Sequence, residues 1–410
     1  MSSKAYIAGV GMTAFGKHAD RSLKSLGVEA IQQALTDAAL SPAEINAAYM
    51  GNAAAGVITG QVCVPGQVIL RDLGIGGIPV INVENACATA ATAFQQAVAM
   101  VESGAADIVL ACGVEKLFSE DKLKTFSVFT GAVDVERMDD VNELINNRMR
   151  AAGVEPTSGA GTNRSLFIDI CVTWALAHMQ RYGTTREQIA AVSAKNSFHG
   201  SLNPLAQYRD QITVQDVLAA REVAWPLTLP MCSPIGDGAA AAVVVSERKA
   251  RELGMQRMVE VKASLLSSGW EYTEEDDETL AARSARKAYE RAGLGPQDLD
   301  CIELHDASAP SEIMYYEYLG LCEYGEGGQM VESGATTLGG SIPVNTSGGL
   351  LRKGHPIGAT GLAQIYELVL QLRGEAGHRQ VEGARVALAE NGGGFIGTDA
   401  AAMAMTILAK

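Results

Sequence analysis

Residues 82–92 read Asn82-Val83-Glu84-Asn85-Ala86-Cys87-Ala88-Thr89-Ala90-Ala91-Thr92, and the rest of the chain is organised around them. An extended apolar approach, Val80, Ile81 and Val83, runs into small residues with one cysteine at the junction. From Ala88 to Val101 there is no Gly or Pro, and alanine, the best helix former, dominates, which predicts a helix. Ser103-Gly104 supplies its stop. Cys87 is then expected at a helix N-terminus, where unpaired N–H groups and the positive dipole end favour thiolate over thiol. The helix carries no charge before Glu102, which predicts burial all round. A strand, a turn and a buried helix that aim a thiol can present a nucleophile. The competing reading is a small core residue, the usual place of a free cysteine.

The 410 residues are 47% hydrophobic and 19% charged, the balance of a globular protein of two or three domains. Seven cysteines at scattered spacings, none in a Cys-x-x-Cys pair, argue against a disulfide framework and against a zinc ribbon within the chain. No metal site is expected. Ala5-Tyr6-Ile7-Ala8-Gly9-Val10 opens a strand with no charged and greasy leader before it, and no apolar run is long enough to span a membrane. The expectation is a soluble protein of a reducing compartment, the cytoplasm. A net charge of −15 argues against nucleic acid as a partner. Any anionic ligand is left to a local basic pocket and helix N-termini.

Along the chain, strand 5–10 is followed by a helical pattern over 22–39 (Leu23, Leu26, Ala30, Ile31, Ala34, Leu35). Residues 105–115 read as a buried strand. Alternation lapses from about 117 to 221, which reads as polar loops with helices near 167–182 and 186–197. It returns at Asp237-Gly238-Ala239-Ala240-Ala241-Ala242-Val243-Val244-Val245. The second half then repeats the first. Leu294-Gly295-Pro296-Gln297-Asp298-Leu299-Asp300 matches Leu40-Ser41-Pro42-Ala43-Glu44-Ile45-Asn46, 254 residues apart, and Ile342-Pro343-Val344 matches Ile78-Pro79-Val80, 264 apart. A small-residue turn and a helix follow in both halves, at 359–373 in the second. Such a repeat predicts two pseudo-symmetric halves with mixed sheets covered by helices. Residues 1–116 with 222–250 form one half, 251–410 the other, and 117–221 an inserted loop domain. Equivalent loops, one with Cys87 and one near His355, then face each other.

Three further stretches join Cys87. Gly348-Gly349-Leu350-Leu351-Arg352-Lys353-Gly354-His355-Pro356-Ile357-Gly358-Ala359-Thr360-Gly361 fixes a tight loop around one imidazole, the usual base for activating a thiol. Glu303-Leu304-His305-Asp306-Ala307-Ser308 ends an apolar strand, where His305 is placed to donate to an oxyanion. Asn391-Gly392-Gly393-Gly394-Phe395-Ile396-Gly397 offers bare backbone N–H groups, either for a second oxyanion hole or for a plain turn.

Together these residues resemble the thiolase superfamily, and within it the sterol carrier protein-type thiolases, over essentially the whole chain. The Gly354–Gly361 loop is the most specific match. The resemblance implies a five-layer α-β-α-β-α thiolase fold, built from two βαβαβαββ halves with a loop and helix insertion in the first. It implies an acylated cysteine at Cys87, a base at His355, and one oxyanion hole at His305. The second hole falls to the N–H groups of Cys87 and Gly392. It also implies coenzyme A as substrate rather than a covalently bound cofactor. Ser267-Ser268-Gly269 is the match to the pantetheine contact, and Arg209, with Lys122, Lys124, Arg148 and Arg150, is a candidate for the phosphates. A homodimer is expected, together with a small zinc-ribbon and OB-fold partner that supplies positive charge near the coenzyme A entrance.

The sequence departs from that pattern where thiolases carry a second cysteine, the acid/base on the substrate α-carbon. Glu390-Asn391-Gly392 stands there, and Ala307-Ser308 follows the His-Asp pair. His305, His355, Glu390 and a bound water are left to move that proton. The leading reading is cleavage or formation of a β-ketoacyl-CoA through acyl-Cys87 in acyl-CoA degradation, with an aromatic, branched or dicarboxylic acyl chain suggested by resemblance. A retro-aldolase or other acyltransferase, and a non-catalytic coenzyme A or lipid-binding scaffold, are the alternatives.

Overall fold

The computed structural model describes residues 4–269 and 278–410. The first half runs β1 (Ala5–Met12), α1 (Leu23–Asp37), β2 (Ala47–Gly51), α2 (Ala55–Ile58), α3 (Pro65–Arg71), β3 (Val80–Val83), α4 (Thr89–Glu102) and β4 (Ile108–Glu115). There follow α5 (Lys122–Thr130), α6 (Met138–Ala151), α7 (Leu166–Tyr182), α8 (Arg186–Ser201) and α9 (Val214–Ala219). A small hairpin of β5 (Glu222–Ala224) and β6 (Leu227–Thr228) then leads to β7 (Gly238–Ser246). The remainder contains α10 (Glu247–Glu252), β8 (Val259–Ser268), α11 (Leu280–Ala292), β9 (Cys301–Glu303), α12 (Ala309–Tyr318) and α13 (Gly327–Glu332). It ends with α14 (Gly349–Lys353), α15 (Thr360–Arg373), β10 (Val386–Gly393) and β11 (Ala402–Ala409).

Nine strands form one sheet in the order β3-β2-β4-β7-β1-β8-β11-β10-β9. The order mirrors itself about a central seam where β1 and β8 meet antiparallel at Tyr6–Glu260 and Ile7–Val259. Outward from the seam come β7 and β11, β4 and β10, then β2 and β9; the parallel β2–β3 pair is matched by a parallel bridge between Ile302 and Val344. The repeat in the sequence is thus a repeat in space, down to matching 3-10 turns at Pro42–Glu44 and Pro296–Asp298.

Helices α4 and α15 lie between the half-sheets, each touching strands of both, while α1 covers the outer face of the first and α11 that of the second. The five layers follow from hydrophobicity. α4 exposes no residue to solvent and needs cover on every side, whereas α1 buries only the Leu23, Leu26, Ala30, Ile31, Ala34, Leu35 stripe. Ser22 caps α1 by accepting the Ser25 N–H at 3.0 Å.

The 117–221 stretch is more helical than its sequence reads. α6 goes unseen because its apolar stripe (Val141, Leu144, Ile145, Met149) is diluted by Asp139, Asp140, Asn142, Glu143, Asn146 and Asn147. α7 and α8 share one hydrophobic core with α11 and α12 of the second half. Among the described residues no helix is long and apolar enough to cross a membrane.

Candidate active site

Cys87 sits in a 3-10 turn, Ala86–Ala88, directly before α4, and is buried. Ala86 has φ +47°, a left-handed conformation uncommon outside glycine, which bends the chain sharply from β3 into the helix. The turn is closed by the Asn85 N–H donating to Thr89 Oγ1 at 2.8 Å and by Asn85 Nδ2 donating to Thr92 Oγ1 at 2.9 Å. The end of β10 packs against it so closely that a Cβ on Gly393 would run into the Asn85 carbonyl oxygen and the Ala88 nitrogen. Gly394, at φ +66°, directs its N–H to the Cys87 sulfur.

His355 comes from the equivalent loop of the second half, between α14 and α15. Its Nε2 lies 3.3 Å from Cys87 Sγ, and its Nδ1 lies 2.7 Å from Thr360 Oγ1. Thr360 spends its own hydroxyl proton on the Pro356 carbonyl at 3.1 Å. Nδ1 therefore carries the ring proton, and the Nε2 lone pair faces the thiol. The loop is pinned by buried Glu115 at the end of β4. Its carboxylate accepts the Gly358 N–H at 2.9 Å, the Ala54 N–H at 3.0 Å and Asn52 Nδ2 at 2.9 Å. From the other side, Glu303 accepts from Lys353 Nζ and the Ser347 N–H, both at 3.0 Å, and Asp306 accepts the Leu350 N–H at 2.7 Å.

His305 stands edge-on to His355, ring centres 5.0 Å apart, with its Nε2 buried and free of any partner. Its backbone N–H donates to Glu390 Oε2 at 2.8 Å, while the other oxygen, Oε1, is buried with no hydrogen-bond partner among the described residues. Cys87, His305 and His355 offer ligand atoms within 4.8 Å of one another, a donor set that zinc also accepts. The 3.3 Å thiol–imidazole contact reads equally as a nucleophile and its base.

Electrostatics overturns one expectation. Burial pushes the Cys87 thiol up to about 12, with further upward contributions from Glu115 and Cys171. The helix N-terminus does not produce a resting thiolate, because desolvation outweighs it. Burial likewise holds His355 well below the usual imidazole range and His305 at about 4. The resting pair is neutral, S–H against N. Burial raises Glu390 to about 8.

The groups line a cavity of about 100 Å³, walled also by Phe129, Ile168, Trp174 and Tyr315, and by Cys171 from α7. It adjoins two larger ones. A cavity of about 600 Å³ shares Phe129, Ser165, Ile168 and Ser233 with it and gathers Lys17, Arg164, Arg221 and Arg352. A second, of about 470 Å³, shares Trp174, Ser311, Tyr315 and Ala400 and has Arg148 in its wall. Gly392, Gly393 and Gly394 all line the central cavity. Ser267 and Ser268 pair with Met403 and Ala402 at the end of β8, Gly269 donates to the Ala401 carbonyl, and none of the three lines these cavities. Ser233 stands in the wall instead. Arg209 is exposed beside the cavity, while its neighbours Tyr208 and Asp210 line it. Sequence reasoning missed Cys171, Thr360, Glu115 and the cluster Lys17, Arg221, Arg352. Each belongs to a different segment, and only Thr360, five residues after His355, carried a local signal.

A five-layered repeat with a cysteine turned out of the first inner helix and a histidine before the second is the thiolase architecture. Residues 5–223 match the family model described as thiolase, N-terminal domain, and residues 267–406 match thiolase C-terminal domain-like. The chain belongs to the thiolase family. It is 38% identical over 400 residues to sterol carrier protein 2 of Homo sapiens, covering 95% of this chain and 69% of that one. It is 40% identical to an acetyl-CoA acetyltransferase of Methanothermobacter thermautotrophicus, with 96% and 97% covered. It is 36% identical to the benzoylsuccinyl-CoA thiolase subunit BbsB of Thauera aromatica, with 96% of each covered. Among solved structures, an Ltp2-ChsH2(DUF35) aldolase superposes with a TM-score of 0.78 at 26% identity, covering 99% of this chain and 97% of that one.

Proposed function

We propose that this protein is an acyl-CoA C-acyltransferase that cleaves, or in reverse forms, a 3-oxoacyl-CoA through an acyl group on Cys87. The observation that carries this reading is the thiol–imidazole pair at 3.3 Å in a cavity that adjoins two larger ones, with Gly394 in its wall and a His305 nitrogen beside it that has no partner among the described residues. His355 takes the thiol proton as the sulfur adds to the ketone carbon, so no resting thiolate is needed. His305 and the backbone N–H groups of Cys87, Gly392 and Gly394 are the donors for the resulting oxyanion.

The cavities divide the substrate. Lys17 and Arg221 have no carboxylate within ion-pair distance among the described residues, and with Arg352 they suit the phosphates of coenzyme A. The acyl chain then extends into the opposite cavity, whose wall is Trp174, Met314, Tyr315 and Tyr318. Arg148 there has no carboxylate within ion-pair distance among the described residues, whereas Asp399 already accepts the Leu280 and Ala400 N–H groups at 2.9 and 2.7 Å. An aromatic or branched acyl group bearing a carboxylate fits that wall. The protein works in the cytoplasm as a homodimer, joined by a small partner; only the partner draws support from the likeness to the Ltp2-ChsH2(DUF35) aldolase.

The test is intact-protein mass after incubation with acyl-CoAs, followed by a thiolysis screen of neutral, aromatic and carboxylated 3-oxoacyl-CoAs. The wild type gains one acyl mass and Cys87→Ser gains none. Arg148→Met loses the carboxylated substrates selectively. A wild type that never acylates returns the protein to the aldolase or scaffold readings.

A further inference from the structure

The acyl-Cys87 reading leaves one step without a group: the carbanion released when the carbon–carbon bond breaks must receive a proton. We infer that Cys171, in the middle of α7, is that acid, a second catalytic thiol working with Cys87; the inference rests on the acyl-Cys87 reading.

Cys171 and Cys87 line the same cavity of about 100 Å³ with His305 and His355. Cys171 is a free, buried thiol, and its sulfur lies outside the tight cluster that Cys87 forms with the two histidines. Its surroundings are not those of a plain core cysteine. Ser311 shares the cavity wall with it, the Ser308 and Ser311 hydroxyls lie 2.9 Å from each other, and both act to lower the pKa of its thiol against the upward push of burial. Hydroxyls at a sulfur stabilise the thiolate that proton donation leaves behind.

The two thiols are also electrostatically linked, because charge on Cys171 opposes ionisation of Cys87. While Cys87 is ionised, Cys171 keeps its proton; once Cys87 is acylated and neutral, that opposition is gone. Burial, which holds Cys171 at about 11, works in the same direction at rest. The competing acid, Glu390, is not in the cavity wall, and one of its oxygens is committed to the His305 N–H at 2.8 Å.

The step balances as follows. Cys87 Sγ bonds to C3 of the 3-oxoacyl-CoA as its proton passes to His355 Nε2. The C2–C3 bond breaks, its electron pair stays on C2, and Cys171 S–H protonates C2, leaving a Cys171 thiolate and acyl-Cys87. Incoming coenzyme A thiol gives its proton to Cys171, and its sulfur bonds to the acyl carbon. Cys87 departs and recovers its proton from His355.

The experiment compares wild type, Cys171→Ala and the near-isosteric Cys171→Ser. Three readouts are taken: acyl-Cys87 mass with acetyl-CoA, exchange of acetyl-CoA α-protons in deuterium oxide, and cleavage of whichever 3-oxoacyl-CoA the wild type accepts. The expected result is retained acylation, because coenzyme A thiolate is a stable enough leaving group to depart before it is protonated, whether by Cys171 or by water. Exchange and cleavage fall about a hundredfold or more, the usual worth of a positioned acid. Exchange and cleavage within about threefold of wild type in both variants would overturn the inference, as would loss of acylation in both. A wild type that forms no acyl-Cys87 defeats the acyltransferase reading instead, and is told apart by its own mass spectrum.

Discussion

At the scale of single residues the site is governed by desolvation. Cys87 is pushed up to about 12 and His355 is held down, so the free protein stores a neutral pair. Alkylation of Cys87 by iodoacetamide is therefore expected to climb with pH from 6 to 9 without a plateau near neutrality. His355→Ala slows it and His305→Ala spares it, since only His355 touches the sulfur. A plateau near pH 7 reports a thiolate and contradicts this. Glu390 gives a second pH test. With its folded value raised to about 8, the folded state keeps a proton that the unfolded state loses in the ordinary carboxyl range. Its contribution to stability is full at low pH and lost as pH rises through that window. Glu390→Gln should flatten the change in urea midpoint between pH 5 and 8. An unchanged slope means that Glu390 is ionised when folded.

At the scale of elements, two turns meet at bare backbone. The end of β10 lies on the turn before α4, and a Cβ at Gly393 has no space between Asn85 and Ala88, whereas at Gly392 the nearest atom, Tyr315 Oη, is 3.3 Å away. Gly393→Ala is expected to lower stability by about 1–3 kcal/mol, the usual cost of overpacking, and Gly392→Ala by less. Chemical denaturation of both variants ranks them, and a reversed order refutes the packing. The Gly354–Gly361 loop is held differently, by Glu115 at the end of β4 on the Gly358 N–H, while Glu303 and Asp306 hold the 347–353 segment that leads into it. Local sequence announces the loop's shape. It does not announce Glu115, Glu303 or Asp306, which reach this region from distant segments.

At the scale of the whole molecule, charge sets the problem. On the proposed function, a chain of net charge −15 holds an anionic thioester. The cations that line the larger cavity come from β1's following loop (Lys17), the end of the insertion (Arg221) and α14 (Arg352). Arg352 is already bonded to Asp210 at 2.7 Å and Arg164 to Asp169 at 2.8 Å. Two cations with no ionic partner among the described residues are few for coenzyme A, so a basic partner at this mouth should tighten binding. Co-expression with a small zinc-ribbon and OB-fold protein is expected to lower the coenzyme A KM, with the gain shrinking as salt rises. Equal KM and turnover for the chain alone would reject the partner.

The sequence by itself determined the elements and the repeat, because apolar period and glycine position are local quantities. β1, α1, α4 and β7 lie where their patterns put them, and the spacing of Pro42 and Pro296 carried the pseudo-symmetry of the sheet. It also named Cys87, His355 and His305, each in a segment whose small residues mark a turn. What only the tertiary structure decided is whatever depends on two distant segments at once. The neutral state of the thiol is set by a cavity that no local window encodes. The helices of the insertion are fixed by the core they share with the second half. Cys171 lines the same cavity as Cys87 because α7 packs against α12, which places Ser311 in that wall beside it.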